Sequence, residues 1–201
     1  PEGAVREGCP QERNSMAEQI AHTKNGKIEQ FGRICFYAGL LLELLIVILD
    51  KSSWINPLEG QMFRVSFLLF ACKLCVTKYS KKEWLAVLAA GVIAGLCYLS
   101  SDRDEAVRAV VFVASMKGID HKKALRVVFY VTLTGMAVLA ARSLAGVLGE
   151  VWDAGAGYGI KEGSRRLCLG VGNSNALAIM IWALMTVGVY LFHEKMKAVH
   201  G

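Results

Sequence analysis

The chain has 201 residues, of which 54% are hydrophobic and 20% charged, and its formal net charge is +6. The apolar residues fall in blocks of about 15–20, as a membrane-crossing helix requires, and the blocks lack the charged face of an amphipathic helix. Lys and Arg collect in the connections between these blocks. That distribution is typical of membrane topology, and it argues against nucleic acid as a partner despite the positive charge.

Residues 1–30 form a polar arm without an apolar run, so the sequence shows no cleavable signal peptide. This composition predicts a disordered or only loosely helical segment. The chain begins with Pro1, and Met16 is an alternative start. Two interpretations of the first residues stay open. Either residues 1–15 are an upstream artefact, or the chain is a fragment of a longer protein.

Six apolar blocks follow the arm and predict an all-α fold, a polytopic transmembrane bundle of about six helices. A bilayer core of roughly 30 Å is crossed by about 20 helical residues. The predicted spans are 31–49, 58–76, 84–99, 105–116, 125–148 and 175–192, and residues 193–201 form a basic tail. The fourth span is the shortest. Arg64 and Lys73, towards opposite ends of the second span, can extend outward to the interface.

The distribution of Lys and Arg predicts the orientation, because positive charge favours the cytoplasmic side. The arm, the second and fourth connections and the tail share one side if there are six spans. Their cationic residues include Lys24, Lys27, Arg33, Lys78, Lys81, Lys82, Lys117, Lys122, Lys123, Arg126, Lys195 and Lys197. Both termini are therefore predicted to be cytoplasmic. The outer side holds Lys51, Arg103, Lys161, Arg165 and Arg166.

Glu43 interrupts the first span near its middle. A charged residue at that depth costs several kcal/mol, roughly 2.5–3.5 on insertion scales, so its side chain is expected to face protein. One hypothesis is an ion or proton site. The alternative, favoured here, is a protonated carboxyl group that is hydrogen-bonded to a neighbouring helix.

The cysteines give little indication of a metal or redox site. Cys72 and Cys75 match a C-x-x-C spacing, but they lie within a predicted span and lack a second ligand pair. Cysteines inside apolar blocks behave as small hydrophobic residues. No metal is predicted.

The outer arginines call for a reason, because positive charge is disfavoured on that side. Arg165 and Arg166 stand directly before a glycine-containing segment that leads into the sixth span, and Arg103 has acidic neighbours. Guanidinium groups bind phosphate through paired hydrogen bonds, and glycines at a helix start let backbone N–H groups approach an anion. One hypothesis is therefore a lipid-diphosphate site. The alternative is that Arg103 pairs with its acidic neighbours while Arg165 and Arg166 contact lipid phosphates nonspecifically.

Two motifs carry a resemblance to a known family. Residues 166–175 read RLCLGVGNSN, which resembles the segment R-x-x-L-G-F-G-H-P-N of bacterial polysaccharide polymerases similar to the O-antigen polymerase and ligase superfamily. Residues 101–105 read SDRDE and precede an apolar span that ends in ASMKGI at 114–119. The family has Arg-Asn-Asp at the same distance before an Ala-Ala-Lys-Gly-Ile turn. The matches occur in the same order and cover about residues 90–190.

The resemblance implies a multi-pass protein of the bacterial cytoplasmic (inner) membrane that transfers glycans at its outer face. Donor and acceptor would be saccharides on polyprenyl diphosphate, and the enzyme would be a metal-independent glycosyltransferase without a cofactor. Membrane lipid and other proteins of envelope-glycan assembly would be its partners. Arg103 and Arg166 would bind diphosphate or orient the sugar, and Asn175 would hold the start of the sixth span. The substrate-binding set is Arg103, Arg165, Arg166, Gly170, Gly172, Asn173 and Asn175.

The chain departs from the family pattern at two positions and in length. Asn173 stands where the family has His, and Ser174 where it has Pro. Asn cannot act as a general base near neutral pH, so a role that needs an imidazole is lost. Family members are longer and have more spans, so the chain resembles an N-terminal half or a degenerate copy.

Two further function classes stay open. The chain could be a small transporter or channel subunit with Glu43 as the coupling acid, or a non-catalytic partner in a cell-envelope complex. A transporter is favoured by inverted repeats or by helices broken at mid-membrane. The sequence shows neither pattern, and Gly135 in the fifth span is an isolated glycine.

Overall fold

The computed structural model describes the backbone of residues 10–52, 56–101, 104–153 and 165–200, and the side chains within 26–52, 56–101, 104–152 and 165–193. Its helices are α1 (Pro10–Asp50), α2 (Glu59–Val76), α3 (Lys81–Ser101), α4 (Glu105–Ser115), α5 (His121–Leu144) and α6 (Ser174–His200). Two short strands, β1 (Trp152–Asp153) and β2 (Arg166–Leu167), pair antiparallel. The predicted all-helical class is confirmed, and each predicted span corresponds to one helix.

Among the residues that the structure describes, four helices are long and apolar enough to cross a membrane. They are residues Gly26–Asp50 of α1, all of α3 and α5, and residues Ser174–His193 of α6. Helix α4 has 11 residues and is about 16 Å long, roughly half of the hydrocarbon core. Helix α2 has 18 residues but carries charged side chains at Glu59, Arg64 and Lys73. Length and composition therefore support four of the six predicted spans.

The outward faces of α3 and α6 are apolar. On α3 the exposed side chains include Leu85, Leu88, Val92, Ile93, Leu96 and Leu99, and on α6 they include Ile179, Trp182, Met185, Val189 and Tyr190. Soluble monomers rarely expose contiguous apolar patches of this extent. These faces are compatible with a lipid environment.

Helix α1 begins at Pro10, so it extends through most of the predicted polar arm. The described part of the predicted arm, residues 10–30, has helical backbone. Residues 10–30 are rich in Gln, Glu, Lys, Arg and Ala, which favour helix even without an apolar face. Pro at the first helical position is also favourable, because its missing N–H has no partner there in any case.

Helix α5 is shifted by several residues from the predicted span 125–148. It begins at His121 because the Asp120 carboxylate accepts a hydrogen bond from the Lys123 backbone N–H at 3.2 Å. It ends at Leu144, before Gly146 and Gly149, which both adopt a φ of +67°. Hydropathy locates the apolar stretch, whereas the cap and the glycines locate the helix ends.

Two clusters of buried side chains hold the helices together. The first joins α1, α2 and α4 through Phe36, Leu40 and Phe70, with Phe112 stacked on the Phe36 ring at 6.1 Å. The second joins α1, α5 and α6 and contains Ile48, Leu139, Val171, Leu177 and Met180. Helix α1 is thus the shared element of both clusters.

The bundle has two ends, which are named here by their connections. At the Lys-rich end, formed by residues 77–80 and 116–120, the Tyr79 hydroxyl donates to the Ala114 carbonyl oxygen at 2.6 Å. At the loop end, formed by residues 51–58 and 145–173 where described, the Gly172 N–H donates to the Lys51 carbonyl oxygen at 2.7 Å. The second and fourth connections, which the charge pattern groups together, thus lie at one end of the bundle.

Candidate functional site

The segment 165–173 is fixed to the loop end by backbone hydrogen bonds. The Cys168 N–H donates to the Val151 carbonyl oxygen at 2.9 Å, and the Gly170 N–H donates to the Glu150 carbonyl oxygen at 3.1 Å. Val171 forms an isolated bridge with Ser52, beside the end of α1. The segment therefore joins the end of α1, the chain after α5 and the start of α6.

Gly170 and Gly172 have structural roles that differ from the predicted one. Gly170 has a φ of +79°, and a Cβ there would lie 2.9 Å from the Leu139 carbonyl oxygen, so glycine permits close packing on α5. The N–H groups of both glycines already donate to carbonyl oxygens. The prediction that these amides face an anion therefore does not agree with the structure.

Asn173 is the N-cap of α6. Its side-chain Oδ1 accepts a hydrogen bond from the Ala176 backbone N–H at 2.7 Å, which satisfies one of the first unpaired donors of the helix. Asn175 lies in the first turn of α6 with an exposed side chain. The observed role of Asn173 is therefore helix capping, and Asn175 lies in the predicted position at the start of the helix.

Arg165 and Arg166 have exposed side chains at the loop end. Neither has an ion pair with an acidic side chain among the described residues. In the backbone register of the ribbon, Arg166 stands opposite Asp153. Arg103, the third predicted arginine, lies outside the described residues. Its neighbour Asp104 pairs with Arg108 at 2.9 Å.

An apolar groove of about 710 Å³ lies between α1 and α5 and reaches the loop end. Its walls include Ile48, Leu139 and Leu148, while Arg142 and Ser52 lie at the end nearest the segment 165–173. The groove combines a long apolar wall with one cationic side chain, Arg142, at its end. Such a shape suits an amphipathic molecule with an anionic head.

A second cavity, of about 430 Å³, lies between α1, α2 and α4 and contains Glu43, Ser66 and Arg108. The Ser66 Oγ is 2.6 Å from Glu43 Oε2 and 2.9 Å from the Phe63 carbonyl oxygen. The Ser66 hydroxyl donates to Glu43, so this contact joins Glu43 of α1 to the neighbouring helix α2.

Arg108 is held in the same cavity by two partners. Its guanidinium lies 4.2 Å from the centre of the Phe63 ring and is paired with Asp104. Its Nε is buried and has no hydrogen-bond partner within the described part of the chain. Cation–π contact and one ion pair therefore leave one donor of this guanidinium unsatisfied.

The Lys-rich end is cross-linked by charged and aromatic side chains. Lys117 pairs with Glu83 at 2.5 Å, and its ammonium lies 4.9 Å from the centre of the Tyr79 ring. Burial raises the pKa of the Tyr79 phenol above its usual value, and the nearby Glu83 raises it further, against a lowering by the Thr77 hydrogen bond. These contacts join the start of α3 to the end of α4.

Sequence reasoning missed Arg108 and Arg142 and misplaced Lys73. The sequence contains the pattern that would identify both arginines. Each lies inside a predicted span near the predicted outer side, where positive charge is disfavoured, and the same argument selected Arg165. Lys73 does not extend outward; its side chain is buried, with 6% of the residue exposed. That burial depends on packing against α1, which hydropathy does not reveal.

The chain matches no family model, no curated protein and no solved structure.

Proposed function

We propose that this chain binds polyprenyl-diphosphate-linked saccharides at the outer face of the bacterial cytoplasmic membrane, as part of a glycan polymerase or ligase. The observation that carries the proposal is the groove between α1 and α5, which ends beside Arg142 and the segment that bears Arg165 and Arg166. The two sequence motifs that resemble the polymerase and ligase superfamily support the same function.

The chemistry of the groove suits such a lipid. A polyprenyl chain is apolar and flexible, so it would lie against the side chains of Ile48 and Leu139 in the groove. The diphosphate would lie at the loop end, where arginine can make paired, charge-assisted hydrogen bonds. Arg142, Arg165 and Arg166 are the candidate head-group ligands, with Arg103 a fourth candidate from the motif.

The proposed topology has six crossings, with the Lys-rich end in the cytoplasm. Helices α2 and α4 would then cross beside α1, where packing against Gly32 of α1 shields the charge of Lys73 from lipid. The connections at the Lys-rich end contain Lys78, Lys117, Lys122 and Lys123, which favour the cytoplasmic side.

These residues would bind the lipid diphosphate and position the glycan, and none of them is a catalytic base. Asn173 accepts the hydrogen bond of a helix cap and cannot take a proton near neutral pH. A general base, where the reaction needs one, would come from elsewhere in the assembled enzyme. Transfer of the glycan would be metal-independent, because arginine supplies the positive charge for the diphosphate leaving group.

The experiment measures binding of undecaprenyl diphosphate to the purified protein in neutral detergent, by native mass spectrometry. Undecaprenol and inorganic diphosphate are the comparison ligands. The double variant Arg142→Met/Arg166→Met should bind the lipid diphosphate about tenfold more weakly or worse, given the loss of two charge-assisted contacts. Arg126→Met is the matched control, because Arg126 is exposed on α5 at the opposite end. Equal binding of undecaprenol would overturn the proposal.

A cellular experiment tests the polymer itself. Arg166→Lys keeps the charge but loses the paired geometry of the guanidinium. Expressed in the source bacterium, this variant should insert into the membrane normally and abolish polymer formation. An unchanged length distribution of the surface glycan would contradict the proposed function.

Ion-coupled transport is the second candidate, and one observation favours it. Glu43 and Arg108 line the same cavity between three helices, as a coupling acid and its cationic neighbour would. Helix α1 is continuous through Glu43, however, and transporter sites are typically formed at broken helices. The test is proton-coupled uptake by the protein in liposomes, which Glu43→Gln should abolish.

A further inference from the structure

A third cavity lies at the Lys-rich end, remote from the groove of the proposed function. Its volume is about 300 Å³, and it lies between the α1 segment near residue 30, the end of α2 and the turn after α4. Four cationic side chains and one acidic side chain line it: Arg33, Lys73, Lys78, Lys117 and Glu29. Lys117 is already paired with Glu83, so Arg33, Lys73 and Lys78 against Glu29 leave the cavity with a net positive charge.

Lys73 is the unusual member of this set. It is 6% exposed, and its ammonium donates to the Thr77 Oγ1 at 2.8 Å. The Thr77 hydroxyl in turn donates to the Lys73 carbonyl oxygen at 2.7 Å. An ammonium has three donors, and among the described residues Lys73 has no carboxylate ion pair. Glu29 lines the same cavity but makes no ion pair with Lys73 among the described residues, so a directly bound anion would stabilise the buried ammonium.

Gly32 of α1 accounts for the position of Lys73. A Cβ at residue 32 would lie 3.1 Å from the Lys73 Cδ and 3.7 Å from its Nζ, so the lysine stem lies directly against the α1 backbone. Glycine at this position lets α1 and α2 approach closely enough to enclose the stem. The ammonium is consequently held at the cavity and is not free to extend towards bulk water.

We infer that this cavity binds the phosphate head group of an anionic phospholipid. The phosphate oxygens would accept hydrogen bonds from Lys73, with Arg33 and Lys78 at the rim. A lipid is favoured over free phosphate because Ile28 and Val76 form an apolar part of the same lining, suited to acyl chains. Basic cavities between transmembrane helices on the cytoplasmic side are a known mode of anionic lipid recognition. This inference rests on the proposed topology for the side of the membrane, and it does not depend on the proposed glycan function.

The experiment measures thermal unfolding of the full chain in neutral detergent, with added phosphatidylglycerol, phosphatidylcholine or sodium phosphate. Phosphatidylglycerol should raise the midpoint of the wild-type protein, since a ligand that binds only the folded state stabilises it. Phosphatidylcholine and sodium phosphate should not raise it. A full shift with sodium phosphate alone would overturn the assignment to a lipid.

Lys73→Met tests the residue, because methionine fills the place of the lysine stem without the charge. The variant should bind phosphatidylglycerol about tenfold more weakly or worse, while its midpoint without lipid equals or exceeds that of the wild type. Lys82→Met is the matched control, an exposed lysine at the same end that does not line the cavity. If Lys73→Met does not fold, Arg33→Met provides the same comparison from the exposed rim. An undiminished phosphatidylglycerol shift in the folded variants would overturn the inference.

Discussion

Gly135 of α5 is packed directly against the side chain of Ile48 of α1. A Cβ added at residue 135 would overlap the Ile48 Cδ1, and it would lie 3.1 Å from both Cγ atoms of that isoleucine. The glycine therefore sets the distance between the two helices that form the groove. The contact also explains why a glycine occurs within α5, which is a continuous helix.

Gly135→Leu should separate α1 from α5 and lower the free energy of unfolding by about 1–3 kcal/mol, the usual cost of overpacking a core. Thermal unfolding in detergent measures the change. Gly91→Leu is the matched control, because a Cβ on Gly91 of α3 meets nothing within 4 Å of it. Equal midpoints for the two variants would show that the contact with Ile48 does not limit the packing.

Asn173→Ala should lower the free energy of unfolding by about 1 kcal/mol, because the Ala176 N–H loses its capping partner. Asn173→Asp should retain the stability, since an aspartate side chain accepts the same hydrogen bond and suits the helix dipole. Chemical or thermal unfolding monitored by circular dichroism provides the measurement. Asn175→Ala serves as the control on the first turn of the same helix, and a comparable loss there would argue against capping.

Hydropathy located the helices of the bundle but not their ends or their depth. Residues 105–116 are predicted as a span because they are apolar, and α4 covers 11 of these 12 residues, about half of the length that a hydrocarbon core requires. A short apolar helix is also stabilised by packing on protein, as Phe112 packs on Phe36 and Phe70. Composition alone cannot distinguish burial in protein from burial in lipid.

The sequence identifies candidate site residues by their charge, but it does not contain the contacts that surround them. The charge rule selected Arg165 and Arg166, which the structure places together with exposed side chains at the loop end. Backbone hydrogen bonds were not predictable, and they occupy the N–H groups of Gly170 and Gly172. Long-range packing brings Arg142 beside the same segment, and no local pattern in the sequence contains that information.

Ser66→Ala should lower the free energy of unfolding by about 1–3 kcal/mol, because it leaves the Glu43 carboxyl group without its 2.6 Å partner. Glu43→Gln should change it by less than about 0.5 kcal/mol, since the amide can donate to Ser66 while Ser66 donates to Phe63. The two variants and their combination form a double-mutant cycle. Additive effects of the two substitutions would contradict the hydrogen bond between Ser66 and Glu43.

Topology reporters distinguish the six-crossing bundle from one in which only the four long helices cross. Reporters fused after Lys82, Arg103, Lys123 and Gly157 should read in, out, in and out if all six helices cross, with the N-terminus inside. If α2 and α4 do not cross, the same positions should read out, in, in and out. The reporters after Lys82 and Arg103 therefore decide the number of crossings, while those after Lys123 and Gly157 serve as internal controls.

We expect the six-crossing pattern, because it alone places the connections with Lys78 and with Lys117 together in the cytoplasm, where positive charge is favoured. The contrary reading at both deciding positions would also place residues 77–80 outside, and the proposed topology would then be wrong.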